Sequence, residues 1–188
     1  MTGELQIITE SEVVEALLQE LAPVIGDDLP GYRNHIYRVL TYSLHFLQGD
    51  ETHKKAVEVT LVYHDIGLWT DNALAYLEPS EQAALAANAE HGWGLDEGLL
   101  RAIIHWHHKI SAYKGPNADV VNAVRKADWV DATKGKVRHG LKPAQVARVN
   151  EALPALGFYD TLDRLATDLA GGSKIRGLLT VLLKVYKF

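Results

Sequence analysis

The residues best suited to chemistry cluster in Leu61-Val62-Tyr63-His64-Asp65-Ile66-Gly67, where an imidazole and a carboxylate stand side by side after an apolar, helix-compatible run. At about 100° per residue, His64 and Asp65 fall on the face that carries Val57 and Leu61, so both point inward. A carboxylate facing a core is costly unless something positive meets it. A lone inward Asp is usually a cap or a salt-bridge partner, but further inward His and Asp elsewhere turn the reading toward a metal ion.

The chain has nine histidines, and helical phase sorts them. His35 lies at the edge of the apolar face formed by Val39, Tyr42 and Phe46, whereas His45 falls on the polar side. Ahead of Lys109, the residues Leu99, Leu100, Ile103 and Trp106 mark an apolar centre. His107 sits within it, His108 on its flank and His105 well outside. Asp128 projects with Val121 and Val124, and Asp131 is on the margin. His91 follows an Ala-rich helix whose phase is weak; His53 and His139 sit in polar surroundings. The inward set is therefore His35, His64, Asp65, His107 and Asp128, joined by His91 and His108. Any one alone is more often a hydrogen-bonded core residue. Together, two carboxylates and several imidazoles suit a borderline-hard divalent ion such as Mn²⁺, Fe²⁺, Co²⁺ or Zn²⁺. Their wide separation in sequence excludes a local zinc-finger arrangement.

The elements that must position these residues read as helices throughout. Thr9-x-x-Glu12 is a capping-box pattern that opens a helix carrying Val13, Val14, Leu17, Leu18 and Leu21. Pro23 to Gly31 reads as a connecting loop. Helices are expected from about Tyr32 to Gln48, Thr52 to Asp65, Pro79 to Ala89, Leu95 to Lys109, Ala118 to Thr133 and Pro143 to Ala152. Two more follow Gly157 and Gly171-Gly172-Ser173. Gly67 to Leu77 reads as irregular and Lys134 to Gly140 as a basic loop. The basic closing stretch, with Lys174, Arg176, Lys184 and Lys187, reads as a docked terminal helix. No segment alternates strictly in the manner of a strand. The expectation is an all-α single-domain bundle of about seven to nine helices. Its metal-binding core spans about residues 32–133, and the C-terminal helices of 141–188 pack on it.

Composition narrows the function. The 188 residues carry a net charge of −5 and 47% apolar side chains, which fits one globular domain and gives no electrostatic case for a nucleic-acid polymer. There is no cysteine, so disulfides, thiolate nucleophiles and Cys-ligated zinc are excluded. No signal-peptide pattern opens the chain and no apolar run approaches the ~18 residues of a membrane span. A cytoplasmic protein without a membrane partner is expected.

The ordered set His35, His64-Asp65 and Asp128 resembles the HD-domain superfamily of metal-dependent phosphohydrolases, which takes its name from such a His-Asp pair. His35-Ile36-Tyr37-Arg38-Val39 is similar to that family's His-x-x-Arg-Val helix, His64-Asp65-Ile66-Gly67 to its His-Asp-Ile-Gly turn, and Ala127-Asp128 to its closing Ala-Asp. The likeness covers about Tyr32 to Thr133. It implies an HD-type fold and a divalent cofactor of one or two ions (Mn, Fe, Mg, Co or Zn) held by His35, His64, Asp65 and Asp128. His91 and His107 would hold a second ion, since some members carry extra histidines there. The Gly-Tyr-Pro signature of the cyclic-dinucleotide-hydrolysing branch is absent, and Lys109 stands where that branch prefers an acid.

The implied activity is hydrolysis of a small phosphorylated molecule, a nucleotide or other phosphate ester, by metal-activated water. Asp65, able to bridge two ions, with His108 and Lys109, would form the catalytic group. Arg38, Lys114 and Trp69 would meet the substrate. A homodimer is allowed for. The same scaffold serves di-iron oxygenases and non-catalytic ligand-binding HD proteins, which are the alternative readings.

Overall fold

The first helix begins at Ser11 rather than Thr9. Ser11 has extended backbone, and its hydroxyl accepts from the Val14 N–H at 3.4 Å, the bond an N-cap makes. From there α1 (Glu12–Ile25) runs on through Pro23, which the final turn tolerates, and stops at Gly26, whose φ of +62° favours glycine. A 3₁₀ turn (Gly26–Asp28) leads directly into α2 (Leu29–Phe46), with Pro30 in its first turn, where a missing N–H costs nothing. The expected loop from Pro23 to Gly31 is therefore the end of one helix and the start of the next.

The computed structural model describes residues 4–71 and 76–169, and within them every regular element is helical. After α2 come α3 (Lys54–Tyr63), the short α4 (Gly67–Thr70), α5 (Leu77–Glu90), α6 (Glu97–Trp106), α7 (Ala118–Ala132), α8 (Pro143–Ala152) and α9 (Phe158–Leu169). The helix expected after Gly171-Gly172-Ser173 lies outside the described residues. None of the described helices is long and apolar enough to cross a membrane.

Helices α2 and α7 make the most extensive pairing, and α3 and α6 pack beside them. Tyr32, Ile36, Val39 and Leu40 of α2 meet a core that includes Val121, Val124 and Val130 of α7, all fully buried. Every residue of α3 from Ala56 to Tyr63 is buried, which its nearly continuous apolar run dictates. Each such Val, Leu or Ile contributes about 1.5–3 kcal/mol by leaving water. Into this apolar setting the four central helices carry His35, His64, Asp65, His107, Asp128 and Asp131, none more than 3% exposed.

Candidate metal centre

Two of the four helices present their ligands in the same way. α3 ends at Tyr63 and α6 at Trp106, and the next residues, His64 and His107, occupy the C-cap positions with closely similar backbone angles. Each imidazole turns back on its own helix. His64 Nδ1 donates to the Leu61 carbonyl at 2.7 Å, and His107 Nδ1 donates to the Ile104 carbonyl. A carbonyl only accepts, so both rings carry a proton on Nδ1 and turn Nε2 toward the centre. The two C-cap rings lie 4.9 Å apart, so the C-terminal, negative ends of both helix dipoles come close together, which favours a cation. A second ligand-type residue follows each C-cap histidine: Asp65 after His64, His108 after His107.

The other donors come from helix interiors. His35 lies in α2 and Asp128 in α7. His35 Nδ1 donates to Asp131 Oδ2 at 2.7 Å, which turns its Nε2 to within 3.0 Å of His64 Nε2. Two nitrogen lone pairs at that separation repel unless a proton or a cation lies between them. Asp65 Oδ2 is 3.2 Å from His64 Nε2 and 3.7 Å from His35 Nε2; Asp128 Oδ1 is 3.8 and 3.9 Å from the His35 and His64 nitrogens. On the other side of Asp65, Oδ1 lies 3.4 Å from His107 Nε2, and neither atom has a hydrogen bond. His108 completes the group, with Nδ1 at 2.9 Å from Asp128 Oδ2.

These atoms fit a divalent ion. Two donors about 2.1 Å from one ion stand about 3.0–3.4 Å apart at octahedral or tetrahedral angles. Three overlapping triads have ligand atoms within 4.8 Å of one another: His35, His64 and Asp128; His64, Asp65 and His107; His107, His108 and Asp128. Among the described residues, Asp65 and Asp128 form ion pairs with histidines alone, so two buried carboxylates lack a permanent positive partner. Burial holds the His64 pKa down at about 4, so its ring is neutral near pH 7 as a ligand must be. Burial opposes ionisation of Asp128, but His108 and the other imidazoles outweigh it and set that carboxyl at about 2. Burial likewise opposes protonation of His108, and Asp128 reverses the balance, raising its pKa.

The structure relocates several expected site residues. His91 is outside the centre: it is the C-cap of α5, stacks on Trp93 at 4.4 Å and places Nε2 3.4 Å from Glu20. His108 takes the place expected for it. Arg38 is not poised for substrate. It is 1% exposed, and its Nε and Nη2 donate to the two oxygens of Asp131 while Nη1 donates to the Leu153 carbonyl at 3.1 Å. Trp69 packs on Tyr32 at 4.8 Å and donates Nε1–H to Asp28 at 3.0 Å, a structural tie rather than an open stacking face. Lys109 is half-buried and Lys114 exposed in the segment after His108.

Three residues were missed as parts of the site. Asp131 is buried against His35, Phe158 stacks on the His35 ring at 4.1 Å, and Tyr76 lies 6.4 Å from both His107 and His108. Asp131 carried a signal, being one turn from Asp128 on the same face of α7; Phe158 and Tyr76 carried none. Gly67 is required by this geometry, since a Cβ there would collide with the Tyr76 carbonyl oxygen, and its N–H donates to Ser80 Oγ at 3.0 Å. In comparisons with protein-family models, curated proteins and solved structures, nothing matches the chain significantly.

Proposed function

We propose that the chain is a metal-dependent phosphohydrolase of the HD-domain type, acting on a small phosphorylated molecule. The observation that supports it is the convergence of His35, His64, Asp65 and Asp128, the parts of the HD pattern, on one buried point where two imidazole Nε2 atoms face each other at 3.0 Å. In this reading His35, His64, Asp65 and Asp128 hold one ion, and His107 and His108 with the same two carboxylates hold a second. When bound, a divalent ion supplies acidified water, with a pKa lowered to roughly 7–9, and neutralises phosphoryl charge.

The chain's own residues prepare the site for that chemistry. Asp65 stands between the two groups, with Oδ2 toward His64 and Oδ1 toward His107. His108 is the most exposed of these ligand-type residues, at 14% of its side chain. Its Nδ1, 2.9 Å from Asp128 Oδ2, joins it to one of the carboxylates the two ions would share. Lys109 and Lys114 follow His108 in the chain and would supply positive charge to a phosphoryl group.

A panel of phosphate esters and nucleotides assayed with Mn²⁺ or Co²⁺ tests the reading. Turnover by the wild type, lost in a folded Asp65→Ala variant, supports it; retained turnover in that variant counts against it. A di-iron oxygenase draws on the same overlap of triads, which suits two ions sharing a carboxylate. Anaerobic purification, metal analysis and electron paramagnetic resonance separate the two: two irons with a mixed-valent signal favour the oxygenase.

A further inference from the structure

The three histidines that turn Nε2 toward the centre are oriented in two different ways. His64 and His107 sit at helix ends, and each finds an acceptor for Nδ1–H in the carbonyl three residues back. His35 takes the other route. It lies inside α2, where each carbonyl already accepts from the helix, and its acceptor comes from another element. That acceptor is Asp131 of α7, at 2.7 Å.

Asp131 is itself fixed on every side. Arg38, one turn from His35 on α2, grips both of its oxygens, with Nη2 at 2.8 Å from Oδ2. The Tyr159 hydroxyl lies 3.3 Å from Oδ1 and 3.2 Å from the Asp131 carbonyl. Arg38 is tied in turn to the Leu153 carbonyl, and Asn34 donates to the Pro154 carbonyl at 2.8 Å. Phe158 closes the other side by stacking on the His35 ring at 4.1 Å and 16°. The segment 153–159, from the end of α8 into the first turn of α9, thus bears on the first histidine of the centre, directly through Phe158 and indirectly through Arg38.

We propose that Asp131 is a positioning residue for the metal centre, holding His35 in the Nδ1–H tautomer with Nε2 toward His64 and Asp128, and that Arg38 and the segment 153–159 hold Asp131 in place. This rests on the reading of the cluster as a metal centre. A carboxylate in this role acts through the ligand rather than on the ion. With Asn at position 131, one oxygen must serve both Arg38 and His35, and the amide can donate to His35 Nδ1 instead. That moves the ring proton to Nε2 and blocks the ligand atom.

The test pairs a metal-free measurement with a metal titration. Long-range ¹H–¹⁵N correlation spectra at about pH 8, where free histidine is neutral, report the tautomer of His35 in the wild type and in Asp131→Asn. Co²⁺ titration of both proteins, followed by visible absorption and calorimetry, reports affinity and ligand geometry. The expected result is Nδ1–H for His35 in the wild type, a shift toward Nε2–H in the variant, and about 10–100-fold weaker Co²⁺ binding with an altered spectrum. An Nε2–H wild-type ring overturns the proposal, as does a folded variant with unchanged affinity and spectrum. If Asp131→Asn does not fold, the wild-type tautomer decides. A wild type that binds no Co²⁺ sinks the metal-centre reading instead, and the two failures are thereby told apart.

Discussion

Replacing Arg38 with Met should cost far more stability than removing an ordinary arginine, and should do so without any ligand present. Arg38 and Asp131 are 1% and 2% exposed, so the substitution strands a carboxylate inside the protein. Removing one partner of a buried ion pair costs about 3–5 kcal/mol. Asp131 keeps the His35 N–H at 2.7 Å, which places the electrostatic part near the lower end, about 3 kcal/mol. The Leu153 carbonyl also loses its donor, adding about 1 kcal/mol. A total near 4 kcal/mol, at about 2–4 °C per kcal/mol for a chain of this size, lowers Tm by about 8–16 °C.

The assay is thermal and urea unfolding followed by circular dichroism, in chelator at pH 7, for the wild type, Arg38→Met, Asp131→Leu and the double variant. Coupling between the two sites should make the double variant more stable than the summed single effects allow. Arg33→Met is the control: Arg33 pairs with Glu15 at the surface, with side chains 34% and 39% exposed, and should lose less than about 1 kcal/mol. Acid adds a sign. Burial opposes ionisation of Asp131, but hydrogen bonds from His35 and Arg38 hold its pKa below the ordinary carboxylate value. The pair's contribution is therefore present above that range and lost as pH falls through the folded-state value, so the gap between wild type and Arg38→Met narrows in strong acid. An Arg38→Met protein melting within about 2 °C of the wild type at pH 7 would refute this reasoning.

Gly67→Ala should destabilise by about 1–3 kcal/mol through the clash with the Tyr76 carbonyl, measured by urea unfolding. It should also weaken metal binding, because the turn carrying His64 and Asp65 has to shift. His91→Ala should leave Co²⁺ affinity unchanged in calorimetry, whereas His107→Ala should lower it, because His91 faces Glu20 and His107 faces Asp65. The metal-free protein should lose stability as pH falls from about 6.5, where an unfolded histidine titrates, toward the His64 value of about 4. In that window the unfolded chain binds the extra proton, so stability rises with pH; melts in chelator at several pH values check it.

Helical phase alone located most of the centre. His35, His64, Asp65, His107 and Asp128 were placed inward from their spacing to Val39, Leu61, Ile103 and Val124, and all five are buried together. Phase does not decide the side chain at a C-cap. His64, His107 and His91 all hold that position, yet the first two turn onto carbonyls of their own helices while His91 stacks on Trp93 beside Glu20. His108 lies past the end of α6, where the chain turns both imidazoles toward Asp65 and Asp128, and a flank position became part of the cluster. Arg38 looked like a cation for substrate because a sequence does not display its partner 93 residues away. The helix starts erred for a similar reason: Thr9-x-x-Glu12 and Ser11 compete as caps, and the contact of the Ser11 hydroxyl with Glu58, 47 residues on, is invisible locally.

Anomalous diffraction from crystals prepared with Mn²⁺ or Co²⁺ tests the metal centre most directly. The expected result is a peak bounded by the Nε2 atoms of His35 and His64 and by Asp65 and Asp128, with a second peak, if two ions bind, beside His107 and His108. A map with no anomalous signal at that cluster, and with His35 Nε2 and His64 Nε2 still in direct contact at about 3.0 Å, would contradict it.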